Sequence, residues 1–139
     1  VVWMQLCAQK AQSKLGCIVK IFDPAYMSKD IVKELGFGPV GHAEEIETSH
    51  MMARFPDMVH LEKAVDNPIK DTPLYSVDPT YEHDTLCYVP SSLAHAKAAA
   101  EKSGGCTGEP SNADAERGKI YHDHLVSNLV KVVEQLQSE

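Results

Sequence analysis

The chain has 139 residues, 43% of them hydrophobic, with 13 Lys and Arg against 20 Asp and Glu and a formal net charge of -7. That is the balance of a soluble globular domain, and no run approaches the roughly 20 apolar residues that span a bilayer, so no membrane partner is expected. Net acidity argues against a nucleic-acid binder, which needs clustered Lys and Arg to neutralise phosphates.

Trp3, Leu6, Cys7, Ala11 and Leu15 recur near helical spacing and Gly16 follows as a C-cap, which predicts a helix over 3–15. Cys17-Ile18-Val19-Lys20-Ile21-Phe22, closed by Asp23-Pro24, is a short β-branched apolar run and reads as a buried strand of the parallel-sheet kind. Helix, glycine and buried strand form half of a β-α-β unit, whose preceding strand is expected upstream of Trp3. Ser28 starts a second helix, with Ile31, Val32 and Leu35 on one face. The glycine-rich loop Gly36-Phe37-Gly38-Pro39-Val40-Gly41 then leads into a helix over 43–55 that Pro56 terminates. Leu61 to Val65 is at most a short helical turn. Regular patterning is lost from Asp66 to Pro90, and so long an irregular segment tends to be functional or disordered. An Ala-rich helix over 92–102 follows, then a second glycine-rich turn, 103–110. Ser111 and Asp114 resemble a capping box for the last helix, whose stripe of Ile120, Val126, Leu129, Val130, Val133 and Leu136 calls for a packing partner. The order of elements predicts an α/β architecture in which helices outnumber strands.

The N-terminal Val1-Val2-Trp3-Met4-Gln5 lacks the parts of a signal peptide. Cys7, Cys17, Cys87 and Cys106 show no C-x-x-C spacing, so they read as small buried hydrophobes in a reducing compartment, with a disulfide pair as the alternative, and a cytoplasmic location is expected.

The densest chemistry lies in Gly41-His42-Ala43-Glu44-Glu45-Ile46-Glu47-Thr48-Ser49-His50. His42 falls at the start of a helix, where dipole and free N–H groups favour an anion, and a histidine beside carboxylates suits proton transfer near neutral pH. Glu44, Glu47 and His50 are spaced three apart and share a helical face, so a carboxylate–histidine metal site pairing across a homodimer is one reading. A solvated acidic first turn is the plainer one, because the dipole alone favours Glu there. His122 and His124 point about 200° apart on a helix and read as solvated surface. His83 reads as surface. Tyr75 and Tyr81, in the long segment, are candidate substrate contacts from a lid.

The segment from Gly41 to Ser49 resembles the H-A-G-E-x-E-T-S motif of the creatininase family (creatinine amidohydrolase and relatives). Met51-Met52-Ala53-Arg54-Phe55-Pro56-Asp57-Met58-Val59 is similar to that family's M-L-A-L-x-P-x-L-V, and Gly105 to Gly118 resembles its late G-x-x-G-D-P-x-x-A-x-A-E-K-G. The resemblance implies a layered α/β/α fold and a metal-dependent hydrolase, whose two divalent ions (Zn or Mn) activate a water and clamp an oxyanion on a small-molecule substrate. It implies that His42 shuttles a proton to the leaving nitrogen and that Glu45 and Glu47 are the acidic catalytic positions following it. Glu44 stands where the family has Gly, adding charge and bulk where substrate would bind. Gly38 and Gly41 replace a Trp and a Glu of creatininases proper, so the flat wall for a creatinine-like ring is absent. A different cyclic amide, or a related C–N or C–C ring bond, is the expected target.

The family's N-terminal metal-binding segments, with Glu-x-His and Gly-His-x-Glu patterns, have no counterpart upstream of the His42 motif in this sequence. The resemblance therefore implies that residues 1–139 form the C-terminal portion of one creatininase-like domain, with several helices and few strands, whose metal ligands lie outside the chain. The family's hexamers imply a homo-oligomer, or a missing N-terminal half supplied as a second chain. The alternative is a non-catalytic subunit or degenerate paralogue that assembles with a complete partner.

Overall fold

The computed structural model describes residues 2–22, 27–68, 97 and 100–138. Four α-helices lie among them: α1 (Val2–Leu15), α2 (Lys29–Glu34), α3 (Glu45–Arg54) and α4 (Ala115–Ser138). Single 3₁₀ turns occupy Pro56–Met58, Leu61–Lys63 and Pro110–Asn112. Residues 100–103 are helical, and the rest of the expected 92–102 helix, apart from Lys97, lies outside the described residues.

Each start and stop has a local cause. Gly16, at φ +63, donates its N–H to Gln12 O and closes α1. Pro56 begins a 3₁₀ turn directly after α3. The last helix starts two residues later than its apolar pattern suggests. Asp114 is its cap, accepting the Arg117 N–H on Oδ1 at 2.7 Å. Ser111, expected as that cap, instead turns its hydroxyl and N–H to the Asp66 carboxylate.

No strand forms among the described residues; His42 and Thr107 form an isolated antiparallel bridge. The run from Cys17 to Phe22, expected as a buried strand, forms no strand. Ile18 and Ile21 are exposed, and the Val19 N–H donates to the Gln12 side chain at 2.8 Å. A strand needs a neighbouring strand to satisfy its backbone groups, and no strand is formed among the described residues. Cys7 and Cys17 are likewise exposed, whereas Cys106 is buried; Cys87 lies outside the described residues.

The core is small and lies where α2, the glycine-rich loop, α3 and α4 meet. Val32, Phe37, Ile46 and Tyr121 are buried, flanked by Ile31, Leu35, Val40 and Leu125. Phe37 meets Tyr121 edge to face at 6.2 Å between ring centroids. At about 1.5–3 kcal/mol for each fully buried apolar side chain, so few residues hold the fold only because polar contacts and close backbone packing act with them.

The close packing is at Gly118. A Cβ built there would land on the Ser49 carbonyl, so α4 rests directly on the backbone of α3. Ser49 is fully buried and its Oγ accepts the Asp114 N–H at 2.9 Å, fixing the start of α4 against α3. Helix α4 buries Gly118 and Tyr121 but leaves Val126, Leu129, Val130 and Val133 exposed, so its apolar arc is wider than the contact it makes.

These contacts set a stability test. Gly118→Ala is expected to cost several kcal/mol, because neither backbone can yield, whereas Gly16→Ala, with open space around it, should cost only about 1 kcal/mol for its left-handed φ. Urea unfolding of the two variants checks this; equal losses would contradict the packing.

Candidate functional site

The turn from Gly41 to Glu47 is anchored before it presents anything. The His42 N–H donates to Thr107, to Oγ1 at 2.8 Å and to the carbonyl at 3.3 Å, and the Thr107 N–H returns a bond to His42 O at 2.9 Å. Gly41 must be Gly, since any Cβ would collide with the Thr107 carbonyl. On the far side, Gly108 exchanges both backbone bonds with Asn67, at 2.7 and 3.0 Å, and Asn67 Nδ2 donates to Cys106 O. Three distant stretches of chain thus lie side by side around His42.

Ala43 follows in the left-handed region at φ +50, an uncommon conformation for a residue with a Cβ. Its polar groups are all taken. Glu47 Oε2 accepts the Ala43 N–H at 2.6 Å, while the Thr48 hydroxyl and the Cys106 thiol donate to its carbonyl at 3.3 and 3.4 Å. This is a capping box displaced by one residue, with the third residue of the helix reaching back past the cap. The strained residue directly after His42 is held by contacts on every side, as at sites where geometry matters.

The three acids of the first helical turn do different things. Glu44 is the N-cap of α3: Oε2 accepts the Ile46 N–H at 2.5 Å and Oε1 the Glu47 N–H at 3.1 Å. It is 1% exposed, so both its oxygens face its own helix. Glu45 is also buried. Oε2 accepts the Gly38 N–H at 2.7 Å, and Oε1 pairs with Arg117 Nη2 at 2.6 Å. Arg117 in turn lies over the Phe37 ring at 4.9 Å and donates to Asn112 O. Glu45 therefore ties the glycine-rich loop to α4. Glu47 alone approaches His42, with Oε2 4.0 Å from Nδ1, and both side chains are open to solvent. Tyr75, Tyr81 and His83 lie outside the described residues.

Beside this turn a cleft of about 220 Å³ opens, lined among others by Ala43, Thr48, His60, Leu61, Lys63 and Cys106. It is large enough for a small ring, and His60 and Lys63 give it polar groups. The sequence carries no sign of Thr107 or Asn67 at this site, because each lies more than a dozen residues from His42 and no local pattern links them, and the cleft likewise draws on residues from distant stretches.

The sequence matches the creatininase family, described as creatinine amidohydrolase, over residues 4–133, and the chain belongs to that family. Membership makes it a member of a family of metal-dependent amidohydrolases with an α/β fold. No curated protein and no solved structure matches it. Among the described residues no helix is long and apolar enough to cross a membrane.

Family membership implies metal ions. Among the described residues, no three His, Cys, Asp or Glu side chains converge on one point. Glu44 and Glu45 spend their oxygens on backbone N–H groups and Arg117, and His50 turns away from Glu47 to meet His122. The shared face of Glu44, Glu47 and His50 read from spacing is not formed, since Glu44 is the cap and not a helical residue. These residues do not fit a two-metal site.

Burial pushes the Glu44 carboxyl from 4.5 up to about 7, against the two backbone N–H bonds that favour its charge. Between those values the folded chain holds a proton that the unfolded chain has released. The stabilisation is therefore full below pH 4.5 and is lost as pH rises through about 7. Glu44→Gln keeps a capping carbonyl and cannot ionise. Between pH 5 and 8 the parent should lose about 2–3 kcal/mol more stability than this variant in urea unfolding. Parallel profiles would contradict the buried, proton-holding cap.

Proposed function

We propose that this chain is the proton-transfer part of a metal-dependent hydrolase of the creatininase family, opening a ring at a cyclic amide or a related C–N or C–C bond. The observation that carries it is the His42 turn. The backbone of His42 is bonded to Thr107 on both its N–H and its carbonyl, while the ring stands open to solvent with Nδ1 toward Glu47. A fixed backbone with an accessible imidazole is what a proton shuttle requires: the ring reaches a leaving nitrogen without losing its orientation.

In this reading His42 gives its proton from Nε2 to the leaving group, and Glu47 positions the ring and balances its charge. Glu45 acts through the loop it ties down. Substrate enters by the cleft beside Ala43 and Thr48. Zn or Mn ions would supply the activated water, and would be held by residues other than those described, in the remaining part of a layered α/β/α domain or in a partner chain. The family resemblance and the order of its three segments support this division.

A second reading is a non-catalytic subunit or degenerate paralogue that assembles with a complete partner. The exposed stripe of Val126, Leu129, Val130 and Val133 favours it, since such a face is covered in an assembly.

His42→Ala separates the two. In the complete protein or complex that carries the metal ligands, with Zn or Mn present and a cyclic amide such as hydantoin as probe, the first reading expects kcat to fall by about 10²- to 10⁴-fold, with KM little changed. Unchanged turnover in the variant contradicts the shuttle. No turnover in either protein, together with a solution mass above that of one chain by light scattering, favours the assembly reading.

A further inference from the structure

The contact between α3 and α4 carries a pair of groups that the His42 site does not use. His50, on α3, and His122, on α4, face each other with Nε2 and Nδ1 2.8 Å apart, and their ring centroids are 5.0 Å apart at 44°. Seventy-two residues separate them in sequence. The nitrogens can share only one proton, so at least one ring is neutral and presents a lone pair to the other. Both residues are half-buried: enclosed enough to be positioned, open enough for an ion to enter. His50 is further fixed by the Tyr121 ring, edge to face at 5.5 Å.

We propose that His50 and His122 form a two-imidazole site for a divalent transition ion of the Cu(II) or Ni(II) type, the ion taking the place of the shared proton. Imidazole nitrogens bind such ions at about 2.0–2.1 Å, so two ligands at a right angle lie about 2.9 Å apart, whereas tetrahedral ligands lie about 3.4 Å apart. The observed 2.8 Å is the right-angle spacing. Turning the rings brings both lone pairs onto one ion in place of the hydrogen bond, and with imidazole and water as the ligands the affinity order of divalent ions favours Cu(II) and Ni(II). Water fills the remaining positions, since no third His, Cys, Asp or Glu among the described residues joins the pair.

The surrounding charges are mixed. Arg54 on α3 opposes a cation, and Asp123 on α4, held by Lys119 at 2.7 Å, lies within electrostatic reach of both His122 and Arg54 and offsets it. Burial, His122 and Arg54 all disfavour a proton on His50, which keeps that ring neutral and able to ligate.

The test uses the tag-free protein titrated with NiCl₂ by calorimetry at pH 7.5, and with CuCl₂ by electron paramagnetic resonance. The expected result is one ion per chain, nitrogen superhyperfine splitting from two imidazoles, and at least a tenfold loss of affinity in both His50→Gln and His122→Gln. His60→Gln, a histidine of the cleft wall that is not part of the pair, should bind nickel and copper as the parent does. Circular dichroism confirms that each variant is folded; should His50→Gln not fold, the superhyperfine pattern of the parent and the His122→Gln titration decide. Parent-like affinity in a folded His50 or His122 variant, loss of binding in His60→Gln, or no binding by the parent at millimolar nickel would overturn the proposal.

Discussion

The direct seating of α4 on α3 is the contact on which the other features depend. Because Gly118 has no side chain, the two helices approach until backbone meets backbone at Ser49, and three polar links can then span the gap. Ser49 takes the first N–H of the incoming chain at Asp114, Arg117 reaches Glu45, and His122 reaches His50. Moving the helices apart by the width of a methyl group would stretch all three. It would also free the glycine-rich loop, since Glu45 holds that loop through Gly38. A buried ion pair of this kind is weak evidence for net stability, but it fixes one arrangement, because an unpaired Glu45 or Arg117 in that setting would be costly.

From this frame follows a division of labour among acids that look alike in sequence. Glu44, Glu45 and Glu47 all suit the start of a helix by charge. The direction of the chain as it enters α3 separates them. Glu44 turns inward onto its own N–H groups, Glu45 crosses to Arg117, and Glu47 folds back over Ala43 toward His42. The left-handed Ala43 is what lets Glu47 reach back, since it swings the N–H of the preceding peptide into range. Only the outward-facing pair, His42 and Glu47, is left to meet a substrate.

Much of this was legible in the residues. Helical spacing placed α1, α2 and α3 nearly to the residue, because capping residues and glycines act locally, and the motif around His42 pointed to the family. What the sequence did not show was non-local. The run 17–22 has the composition of a strand, but it forms none among the described residues and most of it is exposed. The apolar stripe of α4 promised a buried face, yet burial follows Gly118 and Tyr121 and leaves Val126 to Val133 outside. The pairing of His50 with His122 and the clamp of Thr107 on His42 join residues more than sixty positions apart, and no periodicity encodes such a meeting.

The central claim is that Glu47 acts through His42, as the group that positions the shuttling ring. A double-mutant cycle on kcat/KM with His42→Ala, Glu47→Gln and the combined variant, metal supplied and folding checked, addresses it directly. If the claim holds, Glu47→Gln lowers kcat/KM in the parent but costs nothing further once His42 is gone, so the double variant matches His42→Ala. Losses that multiply, with the double variant falling below His42→Ala by the full factor of Glu47→Gln, would show two independent roles and contradict it.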